Sequence, residues 1–120
     1  MRKILVLDDD PLVLKSVEQI LKREGYEAEY VQNAQEAIDK AKKESFDLVI
    51  SDIRMPGKNG VEAVREMRLL FNEKVKKDIP IIFITGFAEM GDQLNAEHLG
   101  EVILKPFDLE QLIITIREYL

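Results

Sequence analysis

Acidic side chains crowd two places in this sequence, and both places follow short apolar runs. Asp8, Asp9 and Asp10 stand in the segment LVLDDDP, and Asp52 follows LVIS. Carboxylates held close together repel one another, so such a group must bind a proton or a cation. Carboxylates without histidine or cysteine nearby form an all-oxygen site, which suits magnesium with water and phosphate oxygens. The pattern predicts a site for a divalent cation.

A hydroxyl group and an ammonium group follow two further apolar runs. Thr85 ends IIFIT, and Lys105 follows VIL. A lysine and a hydroxyl opposite the acids complete a cradle for a phosphoryl group, because phosphoryl transfer depends mostly on positioning and charge neutralisation. A carboxylate in such a cradle can itself be the nucleophile.

Five apolar segments predict the strands that position these residues. Four are near-continuous and lack helical periodicity, as is typical of parallel strands covered on both faces. They are Ile4–Leu7, Leu48–Ile50, Ile81–Ile84 and Val102–Leu104. The fifth, Glu27–Val31, alternates, with Ala28 and Tyr30 on one face and the two glutamates on the other. Alternation predicts a half-exposed strand at the edge of the sheet.

Helix-period segments follow each strand, which predicts an α/β fold. The expected architecture is a doubly wound, five-stranded parallel sheet of order 2-1-3-4-5, the flavodoxin-like (βα)5 topology. Ligands of such sheets bind beyond the carboxyl ends of strands one and three, where Asp8 and Asp52 are expected. Asp10 and Pro11 form the ordinary cap and first turn of a helix. Asn33 and Asp108 are predicted to cap the second and last helices, each as part of a capping box.

Composition limits the function classes. A length of 120 residues predicts one domain over residues 1–120 with no effector domain. The absence of cysteine excludes disulfides and thiolate metal sites, and it suits the cytoplasm. The N-terminal apolar run is too short for a signal peptide or a membrane span. A net charge of −6 argues against direct nucleic-acid binding and favours protein partners or cations.

Four blocks of sequence in a fixed order carry a specific resemblance. They are LVLDDDP, LVISDIRMPGKNG, IIFITG and ILKPF. Through these blocks the chain resembles, along its whole length, the CheY-like receiver domains of two-component response regulators. The resemblance implies a cytoplasmic phosphoprotein of signal transduction. Such a protein is a switch rather than an enzyme, and it assists its own phosphorylation and dephosphorylation.

The resemblance also implies a role for each polar residue. Asp52 is the expected acceptor of a phosphoryl group from a sensor histidine kinase or, in a phosphorelay, from a phosphotransfer protein. Thr85 and Lys105 are expected to contact that group. The expected ligands of magnesium, or of manganese in its place, are Asp8, Asp9, Asp52 and the backbone carbonyl of Arg54. Phosphorylation is expected to change the binding of a downstream protein through the face formed by helix four, strand five and helix five.

Two positions near the lysine are expected to be conformational. Pro106 follows Lys105 directly. Val102 stands three positions before the lysine, where receivers usually carry an aromatic ring that follows the phosphoryl-bound hydroxyl inward. The segment 88–100 contains Gly91 and few apolar anchors, so the fourth helix is predicted to be short or mobile. We therefore expect signal output to work through this region by an altered route.

Three other functions compete with the phosphoacceptor switch. A receiver-like interaction module that is never phosphorylated usually lacks an acid or the lysine, and none is lost here. A metal-dependent aspartyl phosphohydrolase expects Asp-x-Asp and then a hydroxyl residue after strand one, and Pro11 and Leu12 do not fit. A flavin carrier of the same topology would suffer repulsion between DDDP and the cofactor phosphate. His98, the one histidine, lies in a polar segment typical of the surface, and no role is assigned to it.

Overall fold

The strands of the computed structural model form one parallel sheet. The structure describes residues 2–52, 62, 64–67, 69, 79–85, 101–104 and 108–120. The strands are β1 (Lys3–Leu7), β2 (Glu27–Val31), β3 (Leu48–Asp52), β4 (Ile81–Thr85) and β5 (Glu101–Leu104). Their order is β2-β1-β3-β4-β5, with every neighbouring pair parallel. The predicted doubly wound topology is confirmed, with β2 at one edge.

Three helices have defined bounds: α1 (Pro11–Arg23), α2 (Ala34–Lys43) and the C-terminal helix (Leu109–Tyr119). Residues 62, 64–67 and 69 are also helical. Gly25 follows α1 with φ of 81°, a left-handed conformation that glycine adopts without a steric penalty and that commonly ends helices. The predicted loop at 72–78 and the predicted short helix within 88–100 lie outside the described residues.

The predicted helix caps at Asn33 and Asp108 are present. The Asn33 side-chain oxygen accepts a hydrogen bond from the Glu36 N–H at 2.9 Å, as a capping box requires. The Asp108 carboxylate instead accepts from the Glu110 N–H at 2.9 Å. In a capping box, Asp108 would accept from the N–H of Gln111, three residues on. Asp108 therefore caps its helix, but not through a capping box.

The apolar residues that the structure describes pack in two clusters, one on each face of the sheet. On one face Leu5, Leu7 and Val49 pack with the buried side of α2. On the other face Ile4 and Val6 pack with α1 and the C-terminal helix. Adjacent residues of a strand point to opposite faces, so a strand covered on both sides is apolar at every position. This burial explains the near-continuous apolar runs, and it fixes the strand ends that carry the polar residues.

No helix within the described parts of the chain is long and apolar enough to cross a membrane.

Candidate functional site

The parallel register brings the two acidic segments to the same edge of the sheet. Leu7, the last residue of β1, pairs with Ser51 of β3. Asp8 follows Leu7, and Asp52 follows Ser51 as the last residue of β3. Asp8 is 2% exposed and Asp52 is 7% exposed, whereas Asp9 is exposed. Two nearly buried carboxylates and one exposed carboxylate therefore lie at the carboxyl edge, as the sheet order predicts.

The three carboxylates form a compact cluster. One carboxylate oxygen each from Asp8, Asp9 and Asp52 lies within 4.8 Å of the others. Within the part of the chain that the structure describes, no other group of three acidic or histidine side chains is so arranged. Two unit charges at this distance repel by about 0.9 kcal/mol in water and by about 3.5 kcal/mol at an effective dielectric constant of 20. Repulsion of this size favours a cation between them.

The donor atoms of the cluster suit a hard divalent cation. All three are carboxylate oxygens, and no nitrogen or sulfur ligand is among them. Magnesium and manganese prefer oxygen ligands, and magnesium usually keeps several waters or phosphate oxygens beside one or two carboxylates. A cluster that is exposed on the Asp9 side leaves room for those further ligands. The residues present fit such an ion.

Asp10 lies next to the cluster in sequence and belongs to the helix cap. Its carboxylate accepts a hydrogen bond from the Leu12 N–H at 2.9 Å, and Pro11 opens α1. The Asp10 N–H in turn donates to the Asp8 carboxylate at 2.9 Å. The chain therefore makes two successive turns, and in each of them an aspartate carboxylate accepts a hydrogen bond from the backbone N–H of the residue two positions later. The cap that starts α1 thus also orients Asp8.

Sequence reasoning predicted the capping role of Asp10 and missed its backbone N–H as a donor to Asp8. The signal for it is the i, i+2 spacing of Asp8 and Asp10, since aspartate side chains often bind the backbone two residues later. Strict strand alternation would pair Asp8 with Asp10 on one face. The strand instead ends at Leu7, and this frees Asp9 to join Asp8 in the cluster.

Asp52 lies in an apolar and hydrogen-bonded setting at the end of β3. Ser51 is fully buried, and its hydroxyl donates to the Asp52 carbonyl oxygen at 2.9 Å. Asp52 pairs with Ile84 of β4, which is also buried. The hydrogen bond fixes the backbone that carries this carboxylate, and the residue is only 7% exposed, which suits a nucleophile or a metal ligand.

The predicted hydroxyl and lysine follow from the neighbouring strands. Thr85 ends β4 one residue beyond Ile84, and it pairs with Leu104, the last residue of β5. Lys105 follows Leu104 in sequence. The structure does not describe the Thr85 side chain. The described residues do not include Arg54, Lys105, Pro106 or His98, so what the sequence predicts for these four residues and for the Thr85 side chain stays a prediction.

Val102 occupies the position where an aromatic ring was expected from the resemblance. It pairs with Phe83 of β4 and is partly buried against the cluster on the α2 face of the sheet. A valine here fills less volume than an aromatic ring and has no long side chain to swing between two positions. Whether this position acts differently from the usual one stays a prediction.

Comparisons with known proteins point to one family. The family model for the response regulator receiver domain matches residues 4–117. The transcriptional regulatory protein ResD of Bacillus subtilis is 32% identical over 120 residues, which are 98% of this chain and 48% of ResD. The sporulation initiation phosphotransferase F of the same organism is 28% identical, over 98% of this chain and 93% of its own length.

Solved structures give the same result. The response regulator protein TrrA from Thermotoga maritima, in complex with Mg2+-BeF, is 33% identical with a TM-score of 0.84, and the match covers 100% of both chains. The chain thus spans about half the length of ResD and the whole length of TrrA.

Proposed function

Because the chain belongs to the receiver-domain family of response regulators, we propose that Asp52 accepts a phosphoryl group and thereby makes the domain a switch. The observation that carries this proposal is the cluster of Asp8, Asp9 and Asp52 within 4.8 Å at the carboxyl edge of the sheet. Of the three carboxylates, Asp52 is the one that lies within a strand, beside the buried residues Ser51 and Ile84. It is therefore the best positioned to attack in a fixed direction.

The proposed donor is a phosphohistidine on a sensor histidine kinase or a phosphotransfer protein. An Asp52 carboxylate oxygen attacks the phosphorus in line, so an oxygen–phosphorus bond forms while the phosphorus–nitrogen bond breaks. The released imidazole takes up a proton, and the product on this chain is an acyl phosphate. Thr85 and Lys105 are proposed to contact the phosphoryl oxygens, with the lysine ammonium offsetting their charge.

The proposed metal is magnesium, with manganese as a substitute on the same ligands. Asp8, Asp9, Asp52 and the carbonyl of Arg54 are proposed to hold it. When bound, the ion supplies the positive charge that offsets repulsion between carboxylates and phosphoryl oxygens. The chain contributes orientation, because the Asp10 N–H fixes one oxygen of Asp8 at 2.9 Å. Only a few carboxylates are needed, as is usual for magnesium bound beside a phosphate.

The proposed output is a change in the binding of a downstream protein. It would act through helix four, β5 and the C-terminal helix. On the C-terminal helix Ile114 is 54% exposed and Tyr119 is 43% exposed, so this face offers apolar contact area. Val102 packs beside Phe83 in this region, and Pro106 follows the proposed phosphate-binding lysine. The single receiver domain over residues 1–120 and the cytoplasmic location stay predictions.

Intact mass spectrometry tests the acceptor. We incubate the wild type, Asp52→Asn and Asp10→Asn with magnesium and phosphoramidate, and repeat the reaction with a chelator. The expected result is the mass of one phosphoryl group on the wild type and on Asp10→Asn, no adduct on Asp52→Asn, and little adduct without metal. No adduct on the wild type would favour the unphosphorylated interaction module. An equal adduct on Asp52→Asn would overturn the assignment of the acceptor.

Measuring the release of inorganic phosphate distinguishes the proposed phosphoacceptor from a metal-dependent aspartyl phosphohydrolase, which would turn over substrate as an enzyme. A metal-dependent aspartyl phosphohydrolase releases inorganic phosphate continuously from small phosphate esters. A phosphoacceptor that assists only its own dephosphorylation does not. We expect no magnesium-dependent release from p-nitrophenyl phosphate above the level of Asp52→Asn.

A further inference from the structure

One side of the edge strand β2 faces away from the sheet. The Glu27 N–H donates to the Arg2 carbonyl at 3.1 Å, and the Val31 carbonyl accepts from the Asp8 N–H at 3.2 Å. Backbone groups of successive strand residues point to alternate sides. The peptide groups of residues 27, 29 and 31 therefore face β1, and those of Ala28 and Tyr30 point outward. Two N–H donors and two carbonyl acceptors are thus presented along this edge.

Two grooves flank the same strand, one on each face of the sheet. The groove on the α1 side has a volume of about 270 Å³ and is lined by Pro11, Leu14, Lys15, Glu18, Tyr30 and Gln32. The groove on the α2 side has a volume of about 310 Å³ and is lined by residues 29–31 together with Glu36, Asp39, Lys40 and Lys43. Tyr30 borders both grooves. A strand added to β2 would therefore direct its alternate side chains into one groove and then the other.

The two grooves differ in charge. In the α2-side groove the Lys40 ammonium forms ion pairs with Glu29 and Glu44, with a nitrogen–oxygen distance of 3.6 Å in each. Glu36 accepts from the Asn33 amide at 2.8 Å, and Asp39 accepts from the Gln35 amide at 3.0 Å. Neutral amides do not cancel a carboxylate charge, so this groove, with three acids and two lysines in its lining, has one negative charge in excess. It suits a cationic side chain.

The α1-side groove suits an aliphatic side chain. Lys15 and Glu18 balance in formal charge, and the remaining lining is largely apolar. Burial, and secondarily the charge of Glu18, raises the pKa of Tyr30 to about 12, so its hydroxyl stays protonated and adds no charge at neutral pH.

We infer that β2 is a docking edge for an extended segment of a partner protein in which lysine or arginine alternates with aliphatic residues. The outward peptide groups of Ala28 and Tyr30 supply main-chain hydrogen bonds, and the two grooves select the side chains. A second copy of this chain fits poorly, because antiparallel pairing centred on Glu29 places that residue opposite itself. The inference uses a different edge from the acidic cluster, and it does not depend on phosphorylation.

The test uses the peptide acetyl-Lys-Val-Lys-Val-Lys-Val-amide and ¹⁵N-labelled protein followed by NMR. We expect the largest amide shifts at Ala28 and Tyr30. A peptide of the same composition ordered Lys-Lys-Lys-Val-Val-Val should bind at least tenfold more weakly. Two further peptides carry N-methyl groups on all lysines or on all valines. One of the two should lose binding at least tenfold and the other should keep it, since only alternate N–H groups of an added strand face β2.

Protein variants complete the test. Glu36→Gln with Asp39→Asn should weaken binding severalfold, whereas Glu118→Gln on the C-terminal helix should leave it unchanged. Equal binding of the reordered peptide, or equal effects of the two N-methylated peptides, would overturn the inference. Shifts at Ala28 and Tyr30 that appear on concentrating the protein alone would identify a second copy as the occupant and overturn it too. The peptide changes leave the protein untouched, so misfolding cannot imitate these results.

Discussion

Replacing Asp9 by asparagine should stabilise the protein without magnesium, and magnesium should cancel most or all of this advantage. Asp9 is exposed, and one of its carboxylate oxygens lies within 4.8 Å of oxygens of Asp8 and Asp52. Near water each such pair repels by about 1 kcal/mol, and salt screening reduces this value. Without metal we expect Asp9→Asn to raise the free energy of unfolding by about 1–2 kcal/mol, because two repulsive pairs are removed.

Magnesium should offset the stability advantage of Asp9→Asn. At a concentration ten times its Kd, an ion that binds only the folded state stabilises it by about 1.4 kcal/mol. The wild type should gain this amount. Asp9→Asn should gain little, because it lacks one of the three carboxylates. The two proteins should therefore have similar stability, or the wild type should be more stable, at saturating magnesium.

Urea unfolding with a chelator or with magnesium measures both effects. Asp10→Asn is the matched control, since it removes the next negative charge in the chain and asparagine is an equally good helix cap. It should show the full magnesium-dependent gain of the wild type. If Asp9→Asn is less stable than the wild type without metal, then repulsion among the three carboxylates does not destabilise the fold. If Asp9→Asn gains as much stability as the wild type from magnesium, then Asp9 is not a ligand of the ion.

Three further predictions concern the cap, an ion pair and the switch position. Asp10→Ala should lower the free energy of unfolding by about 1 kcal/mol through loss of the cap, whereas Asp10→Ser should keep both stability and magnesium affinity, as urea unfolding and metal titration can measure. The hydrogen bond with Glu44 raises the pKa of Lys3 above 10.5, and the same bond lowers the pKa of Glu44 below 4.5. Their stabilisation should be complete between those values, and it should be lost as pH falls through the lowered pKa of Glu44 or rises through the raised pKa of Lys3. Glu44→Gln should remove both dependences from pH-dependent unfolding curves. Val102→Tyr should change the phosphorylation-dependent NMR shifts of the C-terminal helix; unchanged shifts would show that this position is not part of the switch.

The sheet could be predicted from sequence because a strand buried on both faces is apolar at every position, and such runs are easily recognised. Ile4 and Leu5 point to opposite faces and both are fully buried, so β1 had to be apolar throughout. The alternation of Glu27–Val31 likewise identified the edge strand. The approach of Asp8 to Asp52 then followed from topology alone, since parallel strands end at the same edge.

The local geometry of the site could not be predicted in the same way. Strand periodicity places Asp8 with Asp10, whereas the chain turns after Leu7 and Asp9 joins the cluster. The turn depends on hydrogen bonds from the N–H groups of Asp10 and Leu12, which periodicity does not encode. The grooves beside β2 depend on how α1 and α2 pack against β2, and tertiary packing of this kind is not visible in a sequence pattern.

Borohydride trapping is the most direct test of the central claim that Asp52 is the phosphoacceptor. Sodium borohydride reduces an aspartyl phosphate to homoserine, which peptide mass spectrometry locates in the chain. After treatment with phosphoramidate and magnesium, we predict homoserine at position 52 and at no other aspartate. Homoserine at position 8 or 9, or none at all in protein that carries a phosphoryl adduct, would contradict the account.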